Sequence, residues 1–209
     1  MAEQSIAPET ESVSSQDLSH QDWARMRRIG AWHGTAVLAA LTLWGTADLW
    51  AQQSGWALAL LVSLGMAVAV GRAIGAIGHE WGHFAGARLA GARSPVRNKP
   101  VRLYFMFEFD MAANSPRQFI SMSLGGISAN WLLFLAALVL IPLATPAAVA
   151  LACMLFAQAV NVSLFEVPIV RSVMAGADPD EALQLRLKEY GVKSLPGWAA
   201  GLALFVVLV

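Results

Sequence analysis

The chain has 209 residues, of which 57% are hydrophobic and only 13% charged, with a formal net charge of zero. That is too apolar for an ordinary soluble domain and points to membrane spans. The neutral balance gives no basis for a nucleic-acid partner, and the single cysteine, Cys153, excludes an internal disulfide framework or a cysteine zinc cluster.

Residues 1–22 form a polar, Ser- and Gln-rich tail, expected to be disordered and without the apolar core of a secretory signal. Residues 23–209 read as one membrane-embedded domain with its core at 56–185. A basic collar of Arg25, Arg27 and Arg28 precedes a first span at about 31–50, anchored by tryptophans near both ends. The second span opens at Trp56, and its helix is expected to continue through Leu89. The connection 90–117 is polar and basic. Within it, Arg102–Met111 alternates: Leu103, Phe105, Phe107, Phe109 and Met111 take one face, and Arg102, Tyr104, Met106, Glu108 and Asp110 the other. Period two predicts a half-buried strand, and Asn98-Lys99-Pro100 and Asn114-Ser115-Pro116 bound it as turns. A third span at about 119–141 and a fourth at about 147–170 follow, then a charged helix from Asp178 to Tyr190. Residues 197–209 are apolar but too short to cross alone. The expected fold is an all-α polytopic membrane protein with about four transmembrane helices, a partial C-terminal one, and a small membrane-associated β-strand or hairpin between the second and third.

All fourteen Lys and Arg residues except Arg72 fall on one side of these spans. The positive-inside tendency then puts the N-terminus and the far end of the second span in the cytoplasm. Arg72 lies at membrane depth and needs a carboxylate, a carbonyl or water beside it. It reads as a structural ion pair or as part of a site.

The chemistry concentrates in Gly78-His79-Glu80-Trp81-Gly82-His83. On a helix His79 and His83 stand one turn apart on one face, where two imidazoles can grip one zinc ion, and Glu80 lies close enough to reach water at that ion. Haem is the weaker alternative: residues four apart cannot take opposite axial positions, so it would need His33 from the first span. A catalytic zinc takes a third protein ligand. With no third histidine suitably placed, the candidates are the carboxylates Glu166, Asp178 and Asp180, then Glu108 or Asp110. Asp178 has a competing role as the cap of a helix with Pro179 and Glu181 in its first turn.

Over roughly residues 70–185 the chain resembles the site-2 protease family of intramembrane zinc metalloproteases. Gly78–Arg88 is similar to that family's H-E-x-G-H helix. Ser123-Leu-Gly125-Gly126-Ile-Ser-Ala-Asn130 is similar to its Gly-Pro-x-x-Asn segment, with Ile127 in place of proline. Asn161, Pro168 and Asp178 resemble its Asn…Pro…Asp-Gly signature, although Pro179 follows the acid. The resemblance implies a zinc endopeptidase of a bacterial inner or cell membrane that cuts transmembrane segments of protein substrates. It implies His79, His83 and Asp178 as ligands and Glu80 as general base. Asn130 and Asn161 are then candidates to hold the substrate backbone or oxyanion, and the 102–111 strand to pair with an unwound substrate. The competing reading is an inactive relative that binds membrane helices without cutting them.

Overall fold

The computed structural model describes residues 15–102, 104–188, 191 and 194–209. In chain order these form α1 (Ser15–Ser54), α2 (Ala57–Leu89), β1 (Val96–Val101), β2 (Phe105–Phe107), α3 (Pro116–Leu140), α4 (Pro146–Met174), α5 (Pro179–Leu187) and α6 (Leu195–Leu208). Helices α3, α4, α5 and α6 each open with a proline in the first turn, where a missing N–H costs nothing. Ser115 and Gln118 close a reciprocal capping box on α3, and Thr145 caps α4 by accepting from Ala148 N. Gly91, at φ 67°, lets the chain leave α2.

Three helices, α2, α3 and α4, are long and apolar enough to cross a membrane. Their outer faces expose leucine and valine, among them Leu132 and Val139, which is compatible with a membrane protein. The expected first span lies inside α1, where Trp, Thr, His33 and Asp48 dilute the apolar residues; α1 is not among the three. At 14 residues, α6 is about 21 Å long, short of a bilayer core of about 30 Å. The central helix is α4: 61% of its most apolar stretch is buried, against 28% for α2 and 22% for α3. Alanines at 147, 148, 150, 152, 157 and 159 make that closeness possible.

Polar side chains fasten both ends of the bundle. At one end Asp48 of α1 accepts from Ser63 of α2 (2.9 Å) and from Thr145 at the start of α4 (2.9 Å). At the other, Asp22 pairs with Arg88 and accepts from Val96 N, while Arg25 donates to Val96 O and Arg28 to Asn98. The expected tail is therefore redrawn. Residues 1–14 lie outside the described residues, but 15–22 are the opening turns of α1, and Asp22 is tied to α2 and β1.

The 90–117 connection also differs from expectation. The alternating stretch is not one strand. Arg102 takes a left-handed φ of 50° and the chain turns there, so β1 and β2 pair antiparallel around it; Leu103 lies outside the described residues. The register joins Val96 to Phe107 and Val101 to Phe105, with an irregularity on β1 that accommodates Pro100. Burial follows the hairpin rather than the alternation. Met106 is fully buried with Phe107, while Phe105, assigned to the same face as Phe107, is exposed. Met106 and Phe107 pack with Ile29, Phe84, Ala87 and Val96, which clamps the hairpin onto α1 and α2. Phe109 packs against that cluster and also against a second one, Phe119, Ile169 and Val173 of α3 and α4, which Met111 joins.

Candidate metal centre

Helices α2 and α3 approach until backbone meets backbone. Gly78, Gly82 and Gly86 recur every fourth residue along one stripe of α2. A Cβ on Gly82 would fall 2.5 Å from the Cβ of Ala129, and one on Gly86 would strike the Ser121 carbonyl. This spacing of small residues is the usual means by which apolar helices pack closely. Their closeness brings Gly126 of α3 under the two imidazoles. A Cβ there would lie 2.5 Å from His83 Cε1 and 2.8 Å from His79 Cε1.

Above that cradle His79 and His83 turn toward α4. His79 Nε2 lies 3.1 Å and His83 Nε2 3.2 Å from the same oxygen, Oε1 of Glu166. One ligand atom from each of the three residues lies within 4.8 Å of the other two. Two atoms each bonded to a tetrahedral zinc at about 2.05 Å stand about 3.3 Å apart, so these spacings fit such an ion.

Hydrogen bonding gives a second test of fit. His83 Nδ1 is 2.9 Å from the Met122 carbonyl, which can only accept, so this nitrogen carries the proton. In a neutral ring the Nε2 lone pair then faces the lone pairs of Glu166 Oε1. Two acceptors at 3.2 Å repel unless a proton or a metal ion sits between them. A ring nitrogen fixed by a backbone carbonyl is the common way to orient a metal-binding histidine. Glu166 Oε2 and His79 Nδ1 are buried and have no partner among the described residues.

Glu80, 5% exposed, lines the same cavity of about 370 Å³ and lies against the Met106 backbone. Tyr104 and Phe105 of the hairpin, Phe119 and Met122 of α3, and Leu183 and Leu187 of α5 enclose it.

The acid that stands with the two imidazoles is Glu166, one of the sequence candidates, rather than Asp178. Asp178 caps α5, its Oδ1 accepting from Asp180 N (2.9 Å) and Glu181 N (3.1 Å), and it stands outside the trio, as does Asp180. Glu108 pairs with Arg97 at 3.0 Å, and Asp110 Oδ1 accepts from Ala112 N in a turn. The two asparagines part company. Asn130 is buried on the cavity wall; its Nδ2 reaches the Gly75 carbonyl at 3.5 Å, and its Oδ1 has no partner among the described residues. Asn161 is buried against α6, where a Cβ on Gly197 would strike it, and it is not on the cavity wall. His33 accepts from the Trp81 indole at 3.0 Å, away from the two imidazoles. Sequence reading missed Gly126 as a cradle, the Met122 carbonyl and Gln158, which also lines the cavity.

Comparison with protein-family models, curated proteins and solved structures finds no match to this chain.

The Gly126 cradle predicts a measurable defect. Gly126→Ala pushes against movable ring atoms rather than backbone, so the fold is expected to survive while both imidazoles shift. Zinc affinity, measured by chelator competition, should fall at least about tenfold, the lower end of what misorienting a metal ligand costs. Unchanged affinity would show that the rings do not use this pocket.

Proposed function

We propose that the chain is an intramembrane zinc metalloendopeptidase that cuts transmembrane segments of other proteins. In this reading α1 is a fourth span, and the His79–His83 end of α2 faces the cytoplasm of a bacterial cell. One observation carries it: the imidazoles of His79 and His83 converge on Glu166 Oε1, with His83 Nδ1 anchored on the Met122 carbonyl. His79, His83 and Glu166 would hold the ion. Bound zinc acidifies water and polarises a carbonyl.

The remaining work falls to the chain's own groups. Glu80, buried beside the first imidazole, accepts a proton from water and delivers it to the departing amine. Water adds across the C–N bond, leaving a carboxylate and an amine. Asn130 Oδ1, buried without a partner among the described residues, suits a substrate backbone N–H. A peptide bond inside a helix already has its carbonyl engaged, so the substrate must unwind before it is cut. Strand β2 borders the cavity through Phe105 and offers an edge to pair with the extended chain. The resemblance to site-2 proteases points the same way.

The reading is tested with purified protein in detergent and a transmembrane reporter peptide. The unsubstituted chain is expected to carry about one zinc and to cleave the reporter. Glu80→Gln should keep the metal and lose at least about a hundredfold in rate, the scale of a positioned general base. Undiminished cleavage removes Glu80 as the base, and bound zinc without any cleavage favours the inactive, helix-binding relative.

A further inference from the structure

Arg72 stands seven residues before His79 on α2. Seven residues make about 700° of rotation and about 10 Å of rise, so the two side chains share a face. Both line the same cavity. The partners of Arg72 are neutral. Its Nη1 donates to Gln158 Oε1 at 3.1 Å, and its guanidinium lies 5.6 Å from the Trp198 ring of α6. No carboxylate pairs with it among the described residues.

Gln158 is itself a fixed support. Its Nε2 donates to the Gly71 carbonyl at 2.8 Å, and it fills the space that a Cβ on Gly75 would take. The guanidinium is therefore positioned by built neutral groups. A guanidinium has five N–H donors, and the Gln158 bond uses one. In a membrane a cation at this depth is costly without an anion beside it. An anion entering the cavity would find a guanidinium on its wall with donors to spare.

We propose that Arg72 is a carboxylate-binding subsite that selects substrates with an acidic side chain about three residues from the bond that is cut. The spacing follows from about 10 Å between Arg72 and His79 and about 3.3 Å per residue of extended chain. The acid lies on the part of the substrate that runs deeper toward the start of α2. This proposal rests on the endopeptidase reading, because it takes the bond to be cut at His79 and His83.

Binding tests it without relying on turnover. Glu80→Gln protein in detergent is titrated with fluorescent Leu/Ala transmembrane peptides that carry one Asp, scanned through successive positions, and with their Asn counterparts. A short apolar peptide is added as free acid and as amide. One Asp position is expected to bind at least about tenfold more tightly than Asn, the scale of a charge-assisted hydrogen bond. Arg72→Gln should erase that preference, Arg72→Lys should keep part of it, and Arg72→Glu should transfer it to Lys at the same position. Equal binding of Asp and Asn peptides at every position overturns the proposal, as does a preference that survives Arg72→Gln. A preference confined to the short free acid assigns the site to a chain terminus and overturns the side-chain version. If Arg72→Gln fails to fold, the Asp-against-Asn scan on Arg72→Lys still decides. An Arg72-dependent Asp preference without cleavage by unsubstituted protein sinks the peptidase and with it the three-residue spacing, and leaves Arg72 as a carboxylate-binding site alone. Cleavage without any Asp preference does the reverse.

Discussion

Glu166→Ala is expected to empty the metal centre, whereas Asp178→Ala leaves it filled. Glu166 Oε1 is the atom on which both imidazoles converge. Removing it takes away one of the three proposed protein ligands, which would cost more than the 10- to 100-fold typical of losing an outer supporting group. A drop in zinc affinity beyond about a hundredfold should follow, and with it the loss of cleavage. Asp178 holds only the first turn of α5, so its replacement should cost about 1 kcal/mol of stability, the usual value of a helix cap, and no metal. Zinc titration of the two variants side by side decides the matter. Retention by Glu166→Ala, with loss by Asp178→Ala, would restore the acid that the family resemblance implied.

The second large effect concerns the α2–α3 seam. Gly82→Ala and Gly86→Ala put a methyl group against backbone, the Gly125 and Ser121 carbonyls, which cannot swing aside as a side chain can. Each is expected to destabilise the protein by about 3 kcal/mol or more, at or beyond the upper end for overpacking. A melting curve in detergent reads it. Gly34→Ala is the control: its Cβ would meet nothing within 4 Å, and in the interior of a helix Ala is the better residue by roughly 0.5–1 kcal/mol. If Gly82→Ala melts like Gly34→Ala, the helices are not packed this closely.

Much of this architecture could be read from residues alone. The apolar runs gave α2, α3 and α4 within a few residues, because prolines and caps punctuate them. The four-residue spacing of His79 and His83 gave a shared helix face. Two matters escaped. Asn161 and Glu166 are five residues apart, about 500° of helix or about 140° round its axis, so they look to different neighbours. Sequence spacing does not say which neighbour is which, and α4 turns Glu166 to α2 and Asn161 to α6. A small hairpin was among the expectations, but its extent was misread as a strand over 102–111, because alternate aromatics imitate a continuous strand. A left-handed Arg102 puts a turn at the head of the run, and β2 takes up only three of its residues.

The glycine stripe of α2 also settles one approach to the cavity. A helix with its side chains is about 10–12 Å across, and the seam between α2 and α3 is too narrow to take even one added methyl at Gly82. That flank is a shut door. Anything bulky bound for His79 and His83 has to come round by another wall.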